Sequence, residues 1–462
     1  MTIAQVCELS EEVRTGELLT TVFLDNVYRD THSKEANGAF VLRVTYPTTT
    51  VRALVQQISD KLSGKVQKGG LVVRGSYGAG KSHTLLVLYH LCKDVHYGKE
   101  WLKRSDIPAE FPEEVRVAAV QLLAEKPDTL WEPLLERLGT TDLVGKIRDY
   151  PTRDQWAELG KVPTVLIVDD LEHWYEGLDE RNKVLQRNAL QNLLESAELP
   201  IPLAVVLSVY GTNDELMGVV NRTQPPVLDV GTAEDRWKIV RHRLIEGWDE
   251  EKAREVIGQY VSTYEKVQGM LPALRALGDL RAEMERTYPF HPHFLHKAFE
   301  VYGAMPRHEL TRGIVAVCAT LLRTKAGSRD LILMGDLDPT DEEVASDLRK
   351  LDPELVQDTV EDIRERCGDV ENAKEVLATV LLHSFSPRAP GATEEDIYLG
   401  CLRPSLNINK LRSALRTVWD RALFLDRVDE RYLIVKEVPL EKLIEQRARA
   451  MLGQAEGREK AA

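Results

Sequence analysis

Gly75-Ser76-Tyr77-Gly78-Ala79-Gly80-Lys81-Ser82 fills every position of the pattern G-x-x-x-x-G-K-[ST]. Its flanks fit as well. An apolar β-branched run, Leu71-Val72-Val73, enters the segment, and an apolar helical stretch, Thr84 to Leu91, leaves it. Glycines let a backbone wrap close around phosphate oxygens, and a helix start behind them adds unpaired amides and the positive end of a helix dipole. The spacing predicts a phosphate loop built from Gly75, Ser76, Tyr77, Gly78, Ala79 and Gly80. Lys81 would reach the β- and γ-phosphates of ATP, and the Ser82 hydroxyl would ligate Mg2+.

Downstream, Val165-Leu166-Ile167-Val168 runs into Asp169-Asp170-Leu171-Glu172. An apolar strand that ends in an acid sets a carboxylate beside the cation, so Asp169 is the second candidate Mg2+ ligand. Asp170 follows it, where many hydrolysing ATPases carry a glutamate that orients water; here the side chain is shorter by one methylene. Glu172 is the rival for that role.

Other β-branched runs are Val115 to Val120, Leu203 to Val209 and Val227 to Val230. Continuous apolar runs separated by helix-length segments predict an α/β fold with a parallel sheet covered on both faces. Val115 to Val120 falls between the loop strand and the acidic strand in the chain. This order suggests an extra strand between those two in the sheet, as in the additional-strand ATPases, and disfavours nucleotide kinases and small GTPases. At the end of Leu203 to Val209 or just past it, Ser208 or Asn213 could serve as a sensor of the γ-phosphate, although Gly211-Thr212-Asn213 is also good turn chemistry. Arg222 stands just before the last run, where AAA+ ATPases often carry the arginine that reaches a neighbouring subunit. Arg312, opening the apolar stretch Ile314 to Leu322, is a candidate lid arginine over the nucleotide.

Composition narrows the classes. The 462 residues carry 60 Lys plus Arg against 74 Asp plus Glu, a net charge of −14, which argues against coating nucleic acid by overall charge. The 5 cysteines form no CxxC pair, so neither a zinc site nor a disulfide framework is indicated, and reduced thiols in the cytoplasm are expected. No signal peptide or membrane span is visible. From Ala233 onward the pattern is helical. His291, His293 and His296 crowd together, but no acidic or cysteine partner stands at matching spacing, so the group reads as structural. Near the end a helix, Asn409 to Arg421, precedes two apolar strands flanking Val428-Asp429-Glu430-Arg431, the closing half of a winged helix. Lys410, Arg412, Arg416 and Arg421, with Arg403 just before, would let that helix meet DNA.

Several segments resemble a family of large P-loop ATPases of bacterial and archaeal phage-defence islands, encoded beside DNA methyltransferases and related to the ATPases of BREX-type systems. They are Val27-Tyr28-Arg29, Thr45-Tyr46-Pro47-Thr48, Gly75 to His90, Thr129-Leu130-Trp131, Tyr288-Pro289-Phe290-His291-Pro292 and Thr311-Arg312-Gly313. The family's loop is usually richer in glycine, and Ala79 and Ser82 vary it conservatively. The resemblance brings His83 into the nucleotide-binding set. It implies an AAA+-like core with a helical lid and a winged helix, a role in antiviral defence or DNA modification, and a partner such as a DNA methyltransferase. Family members are often longer, so this is a short member or an N-terminal fragment.

The organisation expected is a segment 1–68 packing on the core, a core over 69–231, a helical lid over 232–330, a helical extension over 331–402, a winged-helix-like domain over 403–445 and a charged tail over 446–462. The function expected is a Mg2+-dependent ATPase, a switch or motor within an assembly, with a homo-oligomer as one candidate form. The alternatives are an ATP-gated binding module with negligible turnover and an origin-recognition-like DNA-binding ATPase.

Overall fold

The five apolar runs become the five strands of one sheet: β1 Gly70–Arg74, β2 Arg116–Gln121, β3 Thr164–Asp169, β4 Leu203–Val209 and β5 Val227–Asp229. Every neighbouring pair is parallel, in the order β2-β3-β4-β1-β5. The computed structural model describes residues 1–271, 277–304, 310–444 and 448. The expected charged tail therefore lies outside the described residues, save for residue 448.

Successive strand residues point to opposite faces, and both faces are covered. Val73, Val165, Ile167 and Val206 pack with Leu85 and Leu88 of helix Lys81–Lys93 and with Leu54 and Ile58 of helix Thr49–Leu62. Val72, Leu166, Val168 and Leu207 pack with Trp156 and with Leu190 and Leu193 of helix Glu180–Ala197. All of β3 and β4 is buried, which is why those runs carry no polar alternation.

One expectation is corrected. The strand that separates the loop strand from the acidic strand is β4, not Val115 to Val120. The latter forms β2, at the edge beyond β3. Its first residues, Arg116 and Val117, are only half-buried, as an edge position allows. Order along the chain does not give order in a parallel sheet, because a helical crossover can pass over a neighbour.

Contacts divide the chain into two units, Leu19–Arg243 and Met1–Leu18 with Leu244–Ala462. The expected 1–68 segment is thus divided, its first 18 residues belonging with the C-terminal half. There Cys7–Leu9 pairs antiparallel with Ile245–Trp248, a strand pair that the helical reading of residues past Ala233 missed. The rest of that unit is helical until its end, where helix Ile408–Arg421 precedes a hairpin of Leu425–Val428 and Arg431–Ile434, as expected. Its turn residues Asp429 and Glu430 have φ of 47° and 64°, the left-handed pair that a two-residue hairpin turn requires. All five cysteines are buried, and none is in a disulfide. No described helix is long and apolar enough to cross a membrane.

Lys61 fastens the Leu19–Arg243 unit. Only 1% exposed, its ammonium donates to the carbonyls of Gln67, Ala197 and Leu199. It thereby ties the end of helix Thr49–Leu62 to the chain entering β1 and the chain entering β4. Lys61→Met strands buried acceptors, and such groups cost about 1–3 kcal/mol each when left unmade. A drop of at least about 1 kcal/mol in urea unfolding is expected; an unchanged midpoint would show the three carbonyls satisfied otherwise.

Candidate functional site

The loop after β1 turns through Gly78 and Gly80, with φ of 72° and 103°, backbone that side chains with a Cβ rarely adopt. Gly75 is required for space: a Cβ there would stand 2.5 Å from Val230 Cγ2. Lys81 opens the following helix and is 5% exposed. Its Nζ donates to the carbonyls of Gly75 (2.8 Å) and Ser76 (3.1 Å) and lies 3.7 Å from the centre of the Tyr210 ring. Burial lowers its pKa, while Asp169, Asp170 and Glu172 pull the other way.

β4 separates β1 from β3 and carries Ser208, opposite Val73 in the register. Ser208 is fully buried; its hydroxyl donates to Asp169 Oδ1 and accepts from the Asp170 amide at 3.0 Å. Asp169 is itself fully buried. Its carboxyl is pushed up to about 6, first by desolvation and then by Asp170, against the pull of Ser208, Ser82 and Lys81. Ser82 thus lies close enough to favour the charged carboxylate, yet Oδ2 has no formed hydrogen bond among the described residues. Asp170 adopts left-handed backbone, φ 57°, and its Oδ2 accepts from Gln121 Nε2 at 3.2 Å. Gln121 pairs with Asp169 in the β2–β3 register.

The remaining expected residues divide. Glu172 is buried but engaged: its carboxylate accepts from the amides of Tyr210, Gly211 (2.8 Å), Thr212 (2.8 Å) and Asn213 (2.9 Å). It holds the turn after β4. Asn213 caps helix Asp214–Val220 by accepting from the Leu216 amide at 3.0 Å, and its amide group donates to Glu176. Of the two sensor candidates, Ser208 is the one beside the carboxylate. His83 shares a hydrogen bond with Thr45 Oγ1 at 2.8 Å, and burial, aided by Arg243, lowers its pKa to about 3, so the ring stays neutral. Arg222 is exposed and donates to Gln191 Oε1. Arg312 lies in the first turn of helix Leu310–Lys325, in the other unit. Ser76 and Tyr77 are exposed on the loop, and Ala79 is buried within it.

Tyr210 and Gln121 were missed from the sequence. The signal for Tyr210 was its place directly after β4; Gln121 ends the strand next to the acidic one. On the helix expected to meet DNA, Lys410 pairs with Glu371 and Arg421 with Asp369. Arg403 is partly buried, pairs with the buried Asp336 and donates to the Tyr260 hydroxyl, so its guanidinium is engaged within the protein.

An ammonium, a hydroxyl and a buried carboxylate thus meet at a glycine turn, a set able to hold a polyanion together with a hard cation. Keeping the buried Asp169 ionised has a cost. Its folded pKa lies above the unfolded value near 3.8, so the group's contribution to stability falls as pH rises from about 4 to about 6. In chelator, Asp169→Asn should therefore be more stable than wild type at pH 8, by about 1–3 kcal/mol, with the gap closing near pH 4. Thermal melts at the two pH values check this; a variant less stable at pH 8 would reverse the assigned sign.

No curated protein matches the chain. Residues 231–396 match the model of the DUF499 second domain, and residues 24–116, which include the whole loop, match that of the DUF499 N-terminal domain. Over these two segments the chain is similar to DUF499 proteins.

Proposed function

We propose that the Leu19–Arg243 unit is an AAA+-like P-loop ATPase core that binds and hydrolyses ATP with Mg2+. The observation that carries this reading is the meeting of Lys81, Ser82 and the buried Asp169 at the carboxyl ends of β1 and β3, where open α/β sheets bind their ligands. The strand order supports it, because a strand between the loop strand and the acidic strand is the arrangement of the additional-strand class. The residues also fit the cation: Asp169 Oδ2 is buried and unpartnered among the described residues, and Ser82 adjoins it. When bound there, Mg2+ would offset charge on the phosphate oxygens. Lys81 would exchange its two carbonyl partners for phosphate oxygens, and Asp170 would orient the attacking water. A charge-assisted hydrogen bond is worth about 1.5–3 kcal/mol, so Lys81→Ala should weaken ATP binding by about 10- to 100-fold. Titration with a fluorescent ATP analogue tests this, and unchanged affinity would remove the site assignment.

A second reading is an ATP-gated binding module with negligible turnover. It is favoured by the short Asp170, tied to Gln121, and by the full engagement of Glu172. Steady-state hydrolysis separates the two: a rate equal to that of Lys81→Ala, with and without DNA, selects the module. The origin-recognition-like reading has less support, since Arg403, Lys410 and Arg421 already face carboxylates. Service in a cytoplasmic phage-defence or DNA-modification assembly, with a DNA methyltransferase as partner, rests on the resemblance stated above.

Arg222, before β5, would act as the arginine finger of a homo-oligomer. Arg222→Ala should then lower turnover while sparing nucleotide affinity, because the lost contact belongs to the transition state. Mixing it with Lys81→Ala should restore part of the activity. Specific activity independent of protein concentration, with no rescue on mixing, makes Arg222 a surface residue and the ATPase a monomer.

A further inference from the structure

The unit that contains Leu244–Ala462 holds a cluster that the ATP reading does not use. His293 on helix Pro292–Gly303, His383 on helix Ala373–Ser384 and Asp396 on helix Glu394–Cys401 each bring a ligand atom within 4.8 Å of the others. His293 Nε2 lies 3.5 Å from Asp396 Oδ1, and His383 Nδ1 lies 4.0 Å from Asp396 Oδ2. The two imidazole rings are 5.6 Å apart, centre to centre.

The side chain of His383 is 2% exposed. Among the described residues neither of its ring nitrogens has a hydrogen-bond partner, and neither does Nε2 of His293. Folded proteins rarely leave buried polar atoms unmade. Here one orphaned nitrogen from each ring, His293 Nε2 and His383 Nδ1, faces the Asp396 carboxylate, and one occupant would satisfy both.

We propose that His293, His383 and Asp396 bind a divalent first-row transition ion of the zinc type. A four-coordinate ion with bonds of about 2.0–2.1 Å sets its ligand atoms about 3.4 Å apart. The His293–Asp396 separation already matches that spacing, and a small side-chain rotation closes the His383 gap. Two imidazoles and one carboxylate suit zinc, iron or nickel, and not magnesium or calcium. The carboxylate is also oriented from behind: Asp396 Oδ2 accepts from the Thr393 amide (2.9 Å) and hydroxyl (2.8 Å), while Oδ1 faces His293. Such outer partners are a regular part of metal sites. The nearby cations are Arg431, 3.9 Å from Asp396 Oδ2, and Lys297, which is paired with Glu300 at 2.8 Å. His293, with a side chain 23% exposed, offers the way in. Three protein ligands leave a coordination position for water, and the ion would fasten three helices whose ligands lie far apart in the chain.

The test uses the full chain, stripped with chelator, dialysed and titrated with Zn2+ against a chromophoric chelator, with Mg2+ as control and Co2+ as a spectroscopic probe. The expected result is one ion per chain, visible Co2+ absorption of a low-symmetry site, and a thermal midpoint raised by Zn2+ but not by Mg2+. His293→Gln and His383→Gln should each weaken Zn2+ binding by at least about 10-fold, and Lys81→Ala should not. No uptake by wild type overturns the proposal, and so does uptake unchanged in His293→Gln. Because His293 is partly exposed, that variant decides the matter even if His383→Gln fails to fold.

Discussion

A carboxylate sealed from water at the end of a parallel strand sets the terms for the Leu19–Arg243 unit. Asp169 is tolerable there only because Ser208, the Asp170 amide, Ser82 and Lys81 converge on it. These groups come from β4, the end of β3 and the start of helix Lys81–Lys93. Their meeting requires β4 to lie between β3 and β1, in the register that sets Val168 against Leu207 and Val73 against Ser208. A one-residue slip would turn each of these side chains to the opposite face. The apolar bulk on both sides of the sheet thus holds a register whose benefit is collected at the strand ends.

The turn after β4 extends that dependence. Four amides from Tyr210 to Asn213 converge on the single carboxylate of Glu172, and this fixes where Tyr210 presents its ring. That ring lies over Lys81 and meets His173 edge-on at 4.6 Å. The loop lysine is therefore coupled, through one aromatic contact and one buried glutamate, to the strand that carries Ser208. A change at the lysine has a direct path to the start of helix Asp214–Val220 and so to the chain leading to Arg222.

Much of this was legible before any coordinates. Strands buried on both faces announce themselves as unbroken β-branched runs, and all five were found from that signal. The loop was legible because glycines at fixed spacing before Lys-Ser have few other uses. The roles of Asp170, Glu172 and Asn213 were not, since spacing says that a carboxylate is near and hydrogen-bond direction says what it holds. The pairing of Cys7–Leu9 with Ile245–Trp248 was hidden because each strand is short and its partner is remote. Distance along the chain also hid the relation of His293 to His383 and Asp396: local spacing showed three clustered histidines without an acid, while the acid and the second imidazole arrive on other helices.

That remote strand pair has a consequence for how the chain matures. Cys7–Leu9 can find its partner only after the whole of the intervening unit has been synthesised. The parallel sheet, by contrast, has all its strands once Asp229 has emerged. The unit with the glycine loop can therefore complete its core on the ribosome before Cys7–Leu9 meets its partner strand. Folding that unit draws the two ends of a very long loop together, so the closure entropy of the late strand pair is largely met in advance. Cys7–Leu9 acts as a latch that can shut only once Ile245–Trp248 has been made.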